Sequence, residues 1–477
     1  MIGREEIMRV AGDLTLRPEV VEKDYVLGWM LAGIFHDEIL SPAWVFKGGT
    51  CLKKCFFETY RFSEDLDFTI TDKTHLDRDF LIGRFTQIGQ WIYDKTGIEI
   101  PADMLRFDVC DTPRSSRAGN GRISYRGPLV RGGDPPRLRL DLTADEALVR
   151  EPVMRPVGHP YTDAPAEGIE ARCYAFDEVF GEKIRALAER SRPRDLYDVI
   201  NLFRNGELVA AANAVREVVQ RKCAFKDIAF PTLASLDPFR EELAGEWQNM
   251  LGHQLPALPP FQSFLDALPE FFEWLAGQPR PIVTTIHPLA RNTEVLHAPT
   301  GAIGFGEANA PAIETIRFAA ANRLCIDLEY RDEQGRHGNR VIEPYSLRRT
   351  QAGDVLLMAV RADSGEARSY RLDRILGARA TQRAFTPRYP VELTPTGPLS
   401  IPDKETRSSG SGGFAGGFGL ARARAGVPQT GPTYMFRCTV CGKEFERKTY
   451  DGKLRAHKNR GGQDCYGRFG TYVRTKY

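Results

Sequence analysis

Residues 43–70 read AWVFKGGTCLKKCFFETYRFSEDLDFTI, and this stretch decides the fold. Trp44, Val45 and Phe46 are strand-forming residues. They run into Gly48 and Gly49, which permit a backbone closed to residues with side chains. A helix is predicted to begin near Thr50 with its N–H groups free, and such a helix start favours phosphate. Alone, such a turn is more often only structural. Next comes RFSEDLDFTI, whose alternation is clean. Leu66, Phe68 and Ile70 face one way, and Asp65, Asp67 and Thr69 the other. Carboxylates at i and i+2 on one strand face stand about 7 Å apart along the backbone. Their side chains can converge on a hard divalent ion such as Mg²⁺. A bare Asp-x-Asp would be a solvated strand face; the glycine turn upstream reverses that reading.

A third carboxylate lies in PRLRLDLT, residues 136–143. Leu138, Leu140 and Leu142 share one face, Arg139 and Asp141 the other. Beside an Asp-x-Asp strand, Asp141 would complete a two-metal site, as a shared ligand or as the base for a nucleophile. Further on, YAFDEVFGEKIRALAERSRPRDLYDVINLF (174–203) holds two helices. In the first, Phe176, Phe180, Lys183 and Leu187 follow helical spacing, so Lys183 sits inside an apolar stripe. A lysine there usually snorkels at the stripe's edge. Pro193 suits the first turn of the second helix, on which Asp195 and Asp198 share a face. Either acid could instead hold Arg190 or Arg194 in a structural pair.

Composition frames these motifs. The 477 residues carry 65 Lys+Arg against 63 Asp+Glu, a net charge of +2. Any nucleic-acid binding must come from local patches. The length suggests about three domains. At 42% hydrophobic and 27% charged residues the chain reads as a soluble globular protein. It shows neither an apolar run long enough to span a membrane nor a secretory signal at its start, so a cytoplasmic location is expected. Six of the nine cysteines, Cys51, Cys55, Cys110, Cys173, Cys223 and Cys325, are scattered and read as small buried hydrophobes. Pro-rich punctuation near 256–261 and 278–283 suggests a boundary. Residues 403–432 are Gly/Ser-rich with little aliphatic content and read as a linker.

Two further modules follow the boundary. Residues 311–392 read as a helix and several strands, with fourteen Arg, no Lys and eleven acids. Arginine gives planar, bidentate recognition of phosphates and bases; the same count fits a surface of salt bridges equally well. In the tail, Cys438, Cys441, His457 and Cys465 offer three thiols and an imidazole, a set suited to one tetrahedral, structural Zn²⁺. Residues 434–477 carry eleven Lys+Arg and four acids, with Tyr450, Tyr466, Phe469 and Tyr472 interleaved, which favours RNA or DNA.

The order Gly-Gly-Thr, then SEDLDF, then a strand Asp resembles the nucleotidyltransferase superfamily with the DNA polymerase β-like minimal fold. The fuller string FKGGTCLKKCFFETYRFSEDLDF resembles, more narrowly, the AbiEii-type nucleotidyltransferase toxins of abortive-infection and type IV toxin–antitoxin systems, over about residues 20–205. Thr50 stands where many members carry Ser; both offer a hydroxyl. The resemblance implies that Asp65 and Asp67 hold two Mg²⁺ while Asp141 helps deprotonate the attacking hydroxyl. It implies that Gly48, Gly49 and Thr50 cradle an NTP, with Arg61 and Ser63 among the nucleotide-binding residues. It places Lys183 in the active site together with Asp195 or Asp198, the latter slightly favoured. The implied acceptor is RNA, such as a tRNA 3′ end, and the implied partner a cognate antitoxin. Transfer onto protein hydroxyls, or a nucleic-acid-binding regulator with a vestigial transferase domain, are the other readings.

The strings IDLEY, RVIEPYSL and RSYRLDRI resemble the WYL domain, an SH3-like β-barrel of bacterial defence and regulatory proteins thought to sense ligands, often nucleic acid or nucleotides. Matched positions are Tyr330, Arg340, Pro344, Leu347, Arg368, Arg371 and Arg374; Val355-Leu356-Leu357 occupies the place of the naming triplet. The tail resembles a ββα zinc finger with a lengthened middle. The expected class is α+β: a minimal nucleotidyltransferase fold with helical extension (1–280), a WYL-like module (281–400), a linker (401–432) and a zinc finger (433–477).

Overall fold

The structure is a computed structural model. It describes the chain apart from residues 15, 58–59, 113, 115, 130–131, 205–211, 281–284, 297–309, 394–432, 439, 448–453, 456, 459–460, 462, 466–469 and 477. The expected linker, Tyr450, Tyr466 and Phe469 therefore lie outside the described residues. Two units, Met1–Lys404 and Glu405–Tyr477, are separately compact.

The first unit opens with helices α1 (Arg4–Asp13) and α2 (Pro18–His36), then strand β1 (Trp44–Lys47) and the single turn α3 (Gly48–Cys51). After a π-helical turn at Leu52–Phe56 come β2 (Asp65–Ile70), α4 (Arg78–Thr96), β3 (Arg106–Asp111), β4 (Arg117–Ser124), β5 (Arg137–Thr143), β6 (Val153–Pro156) and β7 (Glu170–Cys173). The seven strands form one mixed sheet in the order β3-β4-β5-β2-β1-β7-β6. Leu66, Phe68, Leu138, Leu140 and Leu142 are buried, as alternation predicts. Helices α5 (Phe176–Arg190), α6 (Pro193–Arg204), α7 (Ala212–Lys226), α8 (Leu233–Leu236), α9 (Arg240–Leu251), α10 (Phe261–Leu265) and α11 (Leu268–Leu275) make the extension. The aromatic pairs Phe180–Trp274 and Tyr197–Phe264 stack within it.

Strand β8 (Thr293–Val295), α12 (Ala310–Ala321), β9 (Leu324–Arg331), β10 (His337–Thr350), β11 (Val355–Arg361), β12 (Ala367–Arg371) and β13 (Ile375–Ala384) follow. They pair as β12-β11-β10-β9-β13 with β8 on β10. The path ends on β12 and β13, so no ladder among the described residues closes it into the expected barrel. Its core is continuous with that of the first sheet: Ile316 and Leu328 belong to the same cluster as Phe46 and Leu196.

In the second unit β14 (Thr433–Cys438) lies between β15 (Glu444–Arg447) and β18 (Gly470–Lys476), while β16 (His457–Lys458) pairs with β17 (Asp464–Cys465). The expected ββα finger is corrected here. His457 sits on a short strand directly opposite Cys465, not on a helix.

Cys51, Cys55 and Cys173 are buried as expected but not scattered; their sulfurs lie within 4.8 Å of one another.

Candidate active site

Register builds the site. Strand β2 lies between β1 and β5, antiparallel to the first and parallel to the second. Asp67 therefore stands opposite Lys47 on one side and Asp141 on the other. Asp65, two residues back, shares its face. Gly48 closes over this point with φ +81°, and a Cβ there would sit 2.0 Å from Asp67 Oδ2. Glycine is required both by the left-handed backbone and by the carboxylate. A Cβ on Gly49 would meet Arg61 Nη2 at 2.6 Å and Ser63 Oγ at 3.1 Å.

The electrostatics mark the same place. Burial pushes the Asp67 carboxyl up to about 6; Asp141 and Asp65 add to the rise, while Lys47 and Lys183 oppose it. Asp141 is also raised, by desolvation and then by Asp65. Burial pulls the Lys47 ammonium down, but Glu146, Glu182 and Asp67 outweigh it and hold the group above its ordinary value. Lys47 Nζ lies 3.5 Å from Glu146. The three aspartates crowd like charge around one spot, which a dication would relieve. Their oxygens are the hard donors that Mg²⁺ takes. They are not drawn together as tightly as the cysteine clusters, the groups among the described residues whose ligand atoms fall within 4.8 Å.

Lys183 does not snorkel. It is 6% exposed, with Nζ 2.8 Å from Asp198 Oδ2 and 4.0 Å from Asp195 Oδ1. Asp198 is fully buried and accepts from Arg61 Nε and Nη2, both at 2.7 Å, and from Tyr60 OH at 2.9 Å. Burial alone would raise its carboxyl; Arg61 and Lys183 outweigh that and hold it well below the carboxylate range. Arg61 also donates to Gln254 Oε1 at 3.1 Å. Asp195 accepts from Arg190 Nε at 2.7 Å and Nη2 at 2.9 Å.

These contacts revise several expectations. Asp198 shares its oxygens among an arginine, a lysine and a tyrosine, the contacts of a residue that fixes its neighbours in place. Asp195 holds Arg190. Arg61 is buried against Asp198, with its Nη2 beside Gly49. Thr50, 1% exposed, donates its hydroxyl to the Asp65 carbonyl at 2.5 Å, which ties the glycine turn to the acidic strand and spends the proton meant for phosphate. The helix begins at Gly48, two residues earlier than expected, and lasts one turn. Lys47 is a site residue that the reading of the sequence missed; its signal was a lysine in an apolar strand beside the glycines.

In the sheet of β8–β13 the arginines are mostly paired. At least eight of the fourteen contact acids: Arg336, Arg348, Arg361, Arg368, Arg371, Arg374, Arg379 and Arg388. Arg371 reaches Asp354 at 2.8 Å and Asp373 at 2.9 Å; Arg374 reaches Glu333 at 3.2 Å. Arg340 differs. It lies 5.7 Å over the Tyr330 ring, donates to the Gly338 carbonyl, and meets no acid among the described residues.

In the second unit Cys438, Cys441, His457 and Cys465 bring their ligand atoms within 4.8 Å. Cys438 Sγ is 3.8 Å from Cys465 Sγ, and Cys441 Sγ is 3.4 Å from His457 Nε2. His457 Nδ1 lies 2.9 Å from the Arg455 carbonyl, which fixes the proton there and leaves Nε2 as a ligand. The set suits a structural zinc.

No curated protein matches the chain. Among solved structures, proteasome accessory factor B/C (PafBC) of Arthrobacter aurescens is similar at 20% identity, over 32% of this chain, with a TM-score of 0.17. The chain spans 23% of that protein's length. The WYL domain family model matches residues 311–380. The model for the nucleotidyl transferase AbiEii toxin of type IV toxin–antitoxin systems matches residues 29–276, over half of the chain and the whole of the site built around Asp67. The chain therefore belongs to the AbiEii nucleotidyl transferase toxin family.

Proposed function

We propose that this chain is a metal-dependent transferase that moves an NMP from an NTP onto an RNA hydroxyl, with a tRNA 3′ end as the favoured acceptor, and that it serves as a toxin in phage defence. What carries the reading is register: Asp67 faces Asp141 across parallel strands, beside Asp65 and beneath a glycine that no other residue can replace without meeting the carboxylate. Asp65, Asp67 and Asp141 would hold two Mg²⁺, which would lower the charge of the triphosphate and activate the acceptor hydroxyl.

The chain's own residues do the rest. Asp141, the exposed member of the three, takes the acceptor's proton as its oxygen bonds to the α-phosphorus and the bond to pyrophosphate breaks. Lys183 offers an oriented ammonium to the departing phosphates. Asp198 and Arg61 fix where that ammonium stands. The backbone of Gly48 and Gly49 meets the triphosphate where a side chain would block it. In this reading residues 1–280 are the transferase, residues 281–400 a ligand-sensing WYL-like module, residues 401–432 a linker, and residues 433–477 a zinc-stapled nucleic-acid contact.

The test is incubation of the full chain with each labelled NTP, Mg²⁺ and total RNA or total protein. Label is expected in RNA and is lost in Asp65→Asn and Asp67→Asn. Label confined to protein would move the acceptor to a protein hydroxyl. Absence of label with every NTP would leave the nucleic-acid-binding regulator as the better account.

A further inference from the structure

The second convergence of ligand atoms lies behind the glycine turn and has no part in the chemistry above. Cys51 ends α3, one residue after Thr50; Cys55 lies on the π-helical turn; Cys173 ends β7. All three are fully buried, and their sulfurs lie within 4.8 Å of one another. The π-helical turn is part of the arrangement. Phe57 N–H bonds to the Leu52 carbonyl at 3.0 Å, five residues back, and such widened turns recur at functional sites. Cys173 is held by its register with Phe46 on β1, so the third sulfur comes from a strand nearly 120 residues further along the chain. The Arg155 guanidinium donates to the Cys55 carbonyl at 3.1 Å, placing one positive charge beside what would be an excess of thiolate.

We propose that Cys51, Cys55 and Cys173 form a third metal site, taking a thiophilic d¹⁰ cation, with Cu⁺ the best-fitting member of the class. The donor set is entirely sulfur, which selects soft ions over Mg²⁺ or Ca²⁺. A structural zinc takes four ligands, and the ligand group found among the described residues has three. A bound ion would join the glycine turn to β7 and hold the floor of the phosphate cradle from behind. On binding, each ligating thiol releases its proton to solvent and no electron is transferred.

The test uses the full chain carrying Cys438→Ser and Cys441→Ser, so that the tail contributes no metal. It is purified anaerobically, given excess Mg²⁺ to occupy the aspartates, and titrated with Cu⁺ and, separately, Zn²⁺. The expected result is one tightly held Cu⁺ per chain, with thiolate-to-copper charge-transfer absorption and a higher melting midpoint. Adding Cys173→Ala should remove the bound ion, the absorption and the midpoint shift together, while circular dichroism shows a folded chain. Cys55→Ala provides the same readout if Cys173→Ala does not fold. Failure to retain Cu⁺ or Zn²⁺ would overturn the proposal. So would retention in both alanine variants, since the ion would then reside elsewhere.

Discussion

Asp67→Asn should make the metal-free protein more stable while abolishing transfer. The folded chain holds the Asp67 carboxyl at about 6 against an ordinary 3.8, because burial and two neighbouring aspartates disfavour the charged form. At about 1.36 kcal/mol per pH unit, keeping that carboxylate ionised costs up to about 3 kcal/mol. Asp67 is only partly buried, so roughly 1–3 kcal/mol is the expected range. The sign follows from proton affinity. Folded Asp67 binds its proton more tightly than unfolded Asp67, so wild-type stability falls as pH rises from about 4 to 6 and this contribution is flat above. Asparagine never ionises and escapes that loss. In chelator, the variant should exceed wild type at pH 8, by roughly 1 °C in melting midpoint for each kcal/mol in a unit the size of Met1–Lys404. The advantage should vanish near pH 4. Mg²⁺ should raise the wild-type midpoint and leave that of the variant nearly unmoved. If Asp67→Asn is instead less stable than wild type at pH 8 in chelator, Lys47 and Lys183 dominate the site. The crowded-acid argument for a metal there then fails.

Three further outcomes follow from the same geometry. Gly48→Ala meets both a positive φ and a 2.0 Å approach to Asp67 Oδ2, so transfer should be lost and stability should drop by about 1–3 kcal/mol, read by activity and by denaturant titration. Lys183→Met should cut nucleotide transfer by about 10²–10³; it also removes one partner of buried Asp198, leaving Arg61 in place, so a melting curve should show a loss of about 1–3 kcal/mol rather than wild-type stability. The wild-type tail should carry one zinc by elemental analysis, and Cys438→Ser with Cys441→Ser should remove it, the pair supplying two of the four ligands.

What could be read from the sequence is what local periodicity encodes. The leucines of β5 and the Leu66–Phe68–Ile70 row announce their buried faces, and Asp65, Asp67 and Asp141 follow on the opposite ones. Register between strands is a separate matter. That Asp67 falls opposite Asp141 depends on how two segments more than seventy residues apart slide past each other, and only the paired sheet fixes it. The same limit hid the three-cysteine convergence, whose members look unrelated in spacing. It also hid the role of Asp198, whose partner Arg61 lies 137 residues away. For the arginines of β10–β13, composition left recognition and salt bridging even. Position decides it residue by residue: Arg371 and Arg374 meet acids, while Arg340 lies on Tyr330.

In the proposed function the placement of Lys183 ties the helices after the sheet to the acids of β2. An ammonium on a flexible four-carbon stem is useful to a transferring phosphate only if its position is fixed beforehand. Here that position is set by pieces from three parts of the chain. Helix α6 supplies Asp198, the segment before β2 supplies Arg61 and Tyr60, and the turn after α9 supplies Gln254, which accepts from Arg61. Each contact is buried, so each is strong and each is costly if left half-made. The Phe62 N–H also bonds to the Gln254 carbonyl at 3.0 Å, holding the segment that leads into the Asp65–Asp67 strand. Packing of α9 and its following turn therefore acts at once on the lysine and on the acids it faces. A substitution in that extension, distant from Asp67 along the sequence, is expected to displace Lys183 and the Asp65–Asp67 strand together.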